Sequence, residues 1–257
     1  INVQPAVVAQ ALAAGKHVIS EKPIAPDSRR GAQLLATAAH HPDQVWMVAE
    51  NLRYEAAYVK AADLISQGVI GRPHTCTWSI SAPITPQSKY YHSAWRRAGD
   101  FPGGFLLDGG VHHVAVLRKL LGEIESVTAI TSQVNSEFPP ADTMAATLHF
   151  VRGTIGTYLV TYAVAWQGEA PLHIAGDAGD MRVYRARLEL ANRSGQQTIA
   201  CQKYDGVEQE LAAFVRSIRT GSSNLNRPDV ALQDVAVIEA LLESARQKHP
   251  VSPTRFV

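Results

Sequence analysis

Cysteine is scarce, with two residues in a chain of 257, Cys76 and Cys201. They lie far apart and share no metal-ligand spacing. That pattern excludes a disulfide framework and a cysteine-built zinc site, and reduced thiols in a cytosolic-type, cytoplasmic protein are expected. Net charge is nearly absent as well, at +1. The electrostatic case for nucleic acid or an anionic membrane as partner therefore falls away. No run of about 18 apolar residues occurs, so no spanning helix is expected. No secretory leader is legible, although the chain opens on Ile1 instead of Met. Internal repeats and low-complexity tracts are missing. So is any G-x-G-x-x-G turn of the kind that seats a pyrophosphate on a helix N-terminus. Gly103-Gly104 and Gly109-Gly110 have the wrong spacing, and Gly176-Asp177-Ala178-Gly179 reads as a hairpin turn.

What remains is the pattern of a globular chain. Its apolar content of 46% is enough for a real core. Its length allows one large domain or two small ones. Residues 2–14 read as a helix with Val3, Val7, Val8, Ala11 and Leu12 on one side and Asn2 as a capping candidate. A short strand at 17–20 follows, then a polar turn, Glu21-Lys22-Pro23. A second helix starts at Asp27 or Ser28, and an apolar strand covers 45–49. Helix, strand, helix, strand at this spacing is a parallel α/β pattern. Residues 53–68 read as a helix and 74–80 as a strand. Segment 82–104 is long and irregular, yet rich in Lys89, Tyr90, Tyr91, Trp95, Arg96 and Arg97. A loop of that length serves function or merely packs on the surface, and its composition leaves both open. After a central helix, seven strand-like runs (126–134, 143–150, 154–163, 171–175, 181–184, 187–190 and 197–201) follow without helices between them. That arrangement predicts a mostly antiparallel sheet. Two helices close the chain. The first, at 207–220, is predicted to turn Leu211, Phe214, Val215 and Ile218 inward. The last spans 228–248 with Leu232, Val235, Ile238, Leu241 and Leu242 as its stripe and Asn226 as a capping candidate.

The central helix carries the most chemistry. Asp108 and His112 are four residues apart, which stacks them on one helical face. A carboxylate and an imidazole so placed can handle a substrate hydroxyl between them. The pair is expected on the helix's first turn. Gly109 and Gly110 lie between them and cost about 1 kcal/mol each relative to alanine. They make sense if something flat or bulky approaches the backbone there. Spacing alone also allows a plainer reading, a capping Asp108 and a satisfied core His112.

A second motif bears on that choice. The run Ala14-Gly15-Lys16-His17-Val18-Ile19-Ser20-Glu21-Lys22-Pro23 ends at the carboxyl edge of a strand, where open α/β sheets bind ligands. Pro23 fits a cis bond or a rigid turn. Together Gly15 to Pro23 and Gly103 to His112 resemble the two signatures of the Gfo/Idh/MocA oxidoreductase superfamily (glucose–fructose oxidoreductase, inositol dehydrogenase, rhizopine catabolism), A-G-K-H-V-x-x-E-K-P and G-G-x-x-x-D-x-G-x-H. Trp95-Arg96 ahead of the second motif resembles the eukaryotic, NADP-type branch. The resemblance extends from the first residue to about Val251.

That resemblance implies a fold and a chemistry. The fold is the C-terminal part of a doubly wound Rossmann domain over residues 1–52. An α+β domain with an open, mainly antiparallel sheet, helices on one face and a final helix packing back then covers 53–257. It also implies that at least two βαβ units of the family are lacking from the front, leaving either a fragment or a short form with a crippled cofactor site. The activity implied is NAD(P)-dependent oxidation or reduction of a sugar, polyol or other small carbonyl or alcohol, with NADP or NAD as cofactor. Lys22, His112 and Asp108 are the implied catalytic residues. Lys22 polarises or protonates the reacting oxygen, His112 acts as acid–base or hydroxyl-binding group, and Asp108 orients a hydroxyl or His112. Glu21, Lys22, Pro23, Trp95 and Arg96 are the implied cofactor contacts, Arg96 by contacting phosphate or by stacking. The family's acidic residue three positions after the histidine is Ala115 here, which weakens a polyol-type site with three hydrogen-bonding groups. His113 is read as packing. The scattered His40, His41, His74, His92, His149, His173 and His249 predict no metal site. The partners expected are a small-molecule substrate and, by the family's habit of covering the sheet's free face, a second copy of the chain, with 154–163 read as apolar on both sides. The rival is a cofactor-free member that binds, dimerises or catalyses a non-redox reaction.

Overall fold

The computed structural model describes residues 1–99, 101–166 and 168–257; Asp100, inside the irregular segment 82–104, lies outside the described residues. The first layer opens with α1 (Gln4–Ala13), β1 (Val18–Glu21), α2 (Ser28–Ala38) and β2 (Trp46–Ala49). β1 and β2 pair in parallel, Val18 with Trp46 through Glu21 with Ala49. The first residue past each carboxyl end is therefore Lys22 and Glu50. Asp27 caps α2 by accepting from Arg30 N at 2.7 Å, as its position ahead of an Ala/Leu-rich run predicts. In α1 the buried side chains are Val8 and Leu12, while Val3 and Val7 are exposed. Asn2 does not cap it: the cap position is Val3, with no side-chain bond.

A 3-10 turn, Asn51–Tyr54, leads into α3 (Ala56–Ser66). The predicted single helix over 53–68 is thus broken at Glu55. That residue is extended, with ψ 132°, because its carboxylate turns inward to meet Arg185. Asp205 Oδ1 accepts from Ala56 N at 3.1 Å and supplies the missing cap.

The second layer is an eight-stranded sheet. Its strands are β3 (Pro73–Ser81), β4 (Ile124–Ser132), β5 (Thr143–Phe150), β6 (Ile155–Thr161), β7 (Leu172–Gly176), β8 (Gly179–Val183), β9 (Arg187–Asn192) and β10 (Gly195–Ala200). The order is β10-β9-β8-β7-β3-β6-β5-β4. Every pairing is antiparallel except β3 with β6. One face carries Trp78, Leu148, Phe150, Tyr158 and Val160 into the core. The other carries Thr77, Thr128, Thr147 and Thr157 at matching registers across four strands. On this free face 154–163 is mixed, not apolar: Ile155 is exposed beside exposed Thr157.

Four helices complete the fold: α4 (Ala94–Arg97), α5 (Gly104–Leu121), α6 (Gly206–Thr220) and α7 (Pro228–Gln247). α5 and α7 lie on the core face of the sheet. Leu232, Val235, Ile238 and Leu241 of α7 are fully buried, matching the predicted stripe. Asn226 does not cap α7; it is buried and donates to Glu50 O at 3.0 Å. Arg53 and Arg118 converge on Asp234 and tie the 3-10 turn and α5 to α7. α6 contradicts the pattern: Leu211, Val215 and Ile218 are exposed, while Glu210 and Ser217 are buried. The helix leans on the 3-10 turn by the side of Gly206, where an added Cβ would lie 2.3 Å from Asn51 O.

Among the described residues, no helix is long and apolar enough to cross a membrane.

Candidate active site

A cleft of about 790 Å³ opens where the carboxyl end of β1 meets α5 and segment 82–104. Glu21, Lys22, Trp95, Arg96, Asp108 and His112 all line it. Of the implied site residues only Pro23 does not; it is buried beneath the turn. The Lys22–Pro23 bond is cis. The side-chain amide of Gln4 donates to the carbonyls of Glu21, Pro23 and Ile24 at 2.6, 3.0 and 3.3 Å and holds the turn in place.

Lys22 reaches across to α5. Its Nζ donates to Asp108 Oδ1 at 3.0 Å and to the Asp108 carbonyl at 2.8 Å. An ammonium has three N–H groups, so one remains for a third acceptor. The other carboxylate oxygen, Oδ2, takes Nε of Arg96 at 2.9 Å. Arg96 itself lies over the Trp95 ring, 4.0 Å from its centroid, and 4.9 Å from that of Tyr90. Arg96 therefore stacks, and its charge is met by Asp108. Burial alone would raise the Asp108 carboxyl, but Lys22 and Arg96 outweigh it and hold it below the ordinary carboxylate range. Asp108 is neither a helix cap nor the partner of His112. It sits in the second turn of α5, whose cap position is Gly103.

The carboxylate that holds His112 is Glu50. Both its oxygens lie 2.8 Å from His112 Nδ1. The Glu50 side chain is 2% exposed and the imidazole 25%. Burial pushes Glu50 up, yet His112, Arg53 and Lys22 together bring it below the ordinary value. An ionised carboxylate only accepts, so Nδ1 carries a proton, and whenever the ring is neutral Nε2 is the acceptor. His113 also lines the cleft, and its Nδ1 shares a hydrogen bond of 2.7 Å with Tyr158 OH. Burial, then the charge of His112, pushes its pKa down to about 3. It stays neutral above that pH.

The two glycines have internal causes. A Cβ on Gly109 would lie 2.0 Å from Tyr162 OH, and one on Gly110 would lie 2.7 Å from Ile238 Cδ1. The bulky group that approaches α5 is thus a tyrosine of the sheet on one side and α7 on the other.

Glu50 is the residue that motif reading passed over. The signal was available: it follows a short apolar parallel strand by one residue, as Lys22 does, and that edge collects ligand-facing groups. Arg185 and Gln4, also on the cleft wall, left no such mark in the sequence. Ala115 is fully buried, so the departure noted above adds no polar group to the cleft.

Known proteins match the chain in sequence and fold. Residues 62–252 fit the model of an oxidoreductase family's C-terminal alpha/beta domain, and residues 2–49 fit that family's NAD-binding Rossmann fold. Dehydrogenase FPY6 of Fusarium mangiferae is 30% identical over 256 residues, covering 95% of this chain and 73% of its own length. The crystal structure of an oxidoreductase from Thermotoga maritima has a TM-score of 0.91 at 31% identity, covering 98% of this chain and 75% of its own. Levoglucosan dehydrogenase, solved with NADH and levoglucosan, shares the fold with a TM-score of 0.88 at 23% identity, over 99% of this chain and 78% of its own.

Proposed function

The chain belongs to the Gfo/Idh/MocA oxidoreductase family, and from that premise we propose that it serves the NAD(P)-dependent oxidation or reduction of a sugar or other small polyhydroxylated alcohol or carbonyl. The observation that carries this reading is the pair of clamped groups in one cleft, Lys22 on Asp108 and His112 on Glu50. A donor and an acceptor whose orientations are fixed in advance are what a proton transfer at an alcohol oxygen needs.

The donor set fits the nicotinamide end of a dinucleotide. The Glu21-Lys22-Pro23 turn and Trp95 provide backbone, an apolar wall and one ammonium beside it. No Gly-rich turn for the pyrophosphate occurs in this sequence. When bound, the cofactor supplies a hydride acceptor or donor. The residues of the chain do the rest. Lys22 directs its remaining N–H to the substrate oxygen and favours the charge that builds there. His112 Nε2 takes the hydroxyl proton during oxidation and returns it during reduction. Glu50 keeps the ring in the tautomer that allows this and stabilises the imidazolium. Asp108 and Arg96 hold the Lys22 ammonium in place as positioning residues.

We also read residues 1–52 and 53–257 as separate domains of a cytoplasmic enzyme, with NADP or NAD as its cofactor. A homodimer across the free sheet face agrees with its uncharged threonine rows and exposed Ile130 and Ile155.

The test is hydride transfer with NAD⁺ and NADP⁺ against D-glucose, D-xylose, levoglucosan and myo-inositol, followed by nicotinamide absorbance. Reduction of either cofactor by at least one of them is expected. No reduction by any, together with no detectable NAD(P)H binding, favours a cofactor-free role.

A further inference from the structure

Tyr162 follows β6 and lines the cleft, as does Gly109. Its position is fixed three times over. Its N donates to Asp142 O at 2.9 Å, and its carbonyl accepts from Ile84 N at 2.8 Å. Its ring lies beside that of Phe105, with centroids 5.8 Å apart and planes at 32°. The residue is 5% exposed, and its hydroxyl has no hydrogen-bond partner among the described residues.

A buried hydroxyl without a partner is a cost that phenylalanine, with the same ring, would avoid. The chain nevertheless makes room for it. A methyl group at position 109 would sit 2.0 Å from that oxygen, and a mid-helix glycine is a second cost in α5. The hydroxyl therefore lies against Gly109, on a stretch of helix that is itself cleft wall. The nearby carboxylate does not absorb it, since the Asp108 oxygens are taken by Lys22 and Arg96. Tyr158, in β6, shows the alternative: its hydroxyl is paired with His113 at 2.7 Å.

We propose that Tyr162 is a substrate-binding residue whose hydroxyl, covered in the free protein, is uncovered as a polyhydroxylated substrate enters the cleft and then donates a hydrogen bond to one of its hydroxyl or ring oxygens, with Gly109 as the residue that leaves room for it. This rests on the dehydrogenase reading and adds to it the group that grips the substrate away from the reacting oxygen. Burial, and then the charge of Asp108, pushes the phenol above its ordinary pKa, so it serves as a donor and not as a base.

Tyr162→Phe removes the one atom at issue. Two measurements apply, neither of which needs turnover. Without ligand, the variant's melting temperature should rise by about 2–4 °C, because an unpaired buried hydroxyl has gone. With NADPH or NADH present, isothermal titration with D-glucose, D-xylose, levoglucosan and myo-inositol should show about tenfold weaker binding of whichever sugars the wild type binds. Cofactor affinity should change less than twofold. Gly109→Ala, which drives a methyl onto the hydroxyl, should weaken the same sugars. An unchanged or lower melting temperature for Tyr162→Phe overturns the proposal. So does equal sugar affinity in variant and wild type, or a wild type that binds none of the four. Sugar binding that depends on Tyr162 without any hydride transfer would leave this proposal standing and remove the dehydrogenase reading.

Discussion

Glu50 and His112, 62 positions apart in the chain, meet at 2.8 Å on the wall of one cleft. Glu50 ends a parallel strand and is almost fully buried; His112 stands on a helix of the other layer and is a quarter exposed. The pair therefore joins the two layers and fixes which ring nitrogen is taken up by the carboxylate. A carboxylate behind an imidazole is a device for setting a tautomer.

Glu50→Gln should test that directly. The amide can offer an N–H to Nδ1 and so favour the wrong tautomer. We expect kcat for hydride transfer to fall by about a hundredfold or more, with cofactor affinity within threefold of wild type. Steady-state kinetics beside a fluorescence titration of NAD(P)H separates the two, and an unchanged kcat would contradict the assigned role.

The buried charge network gives a stability prediction. Asp234 accepts from Arg53 at 2.6 and 2.8 Å and also from Arg118. All three side chains are 5% exposed or less. Asp234→Ala leaves two guanidinium groups buried without their shared partner and should cost about 3–5 kcal/mol. Urea unfolding measures it; a loss below about 1 kcal/mol would show that water or Glu123 takes over.

His113 predicts an acid-side loss of stability. Its folded pKa is about 3, against about 6.5 unfolded. Between those values the unfolded chain binds a proton that the folded one does not, so stability falls as pH drops from 6.5 toward 3. Glu50 and Asp108, also lowered, act mainly below about pH 4.5, while Glu210, raised to about 8 by burial, works in the opposite direction over the same window and is common to both proteins. The urea midpoint should therefore change more favourably from about pH 6.5 to 4.5 in His113→Gln than in the wild type, and an equal change in both proteins would count against it.

Much of the fold is legible in sequence because its elements follow simple periods. β5 was placed to the residue, and α7 exposes its stripe to the core as the 3.6-residue period demands. Short-range pattern fails where a distant contact decides. Glu55 breaks a helix that composition would continue, because Arg185 lies 130 residues away in the chain. α6 leaves Leu211, Val215 and Ile218 exposed where the period predicts them inward. At the site, Lys22, Asp108 and His112 carry motif signals, whereas Tyr162, just past β6, and Arg185, between β8 and β9, lie in sequence that says nothing of a cleft. The spacing of Asp108 and His112 placed them on one face correctly but could not show that each has a different partner.

Lys22 bears the central claim, that one clamped ammonium and one clamped imidazole act on the same substrate oxygen. The deciding measurement is kcat for hydride transfer by Lys22→Met, with cofactor affinity determined in parallel. Loss of an interaction that strengthens in the transition state should lower kcat by about 10²–10⁴-fold, while NAD(P)H affinity stays within about threefold. A Lys22→Met variant that turns over as fast as the wild type would contradict the account.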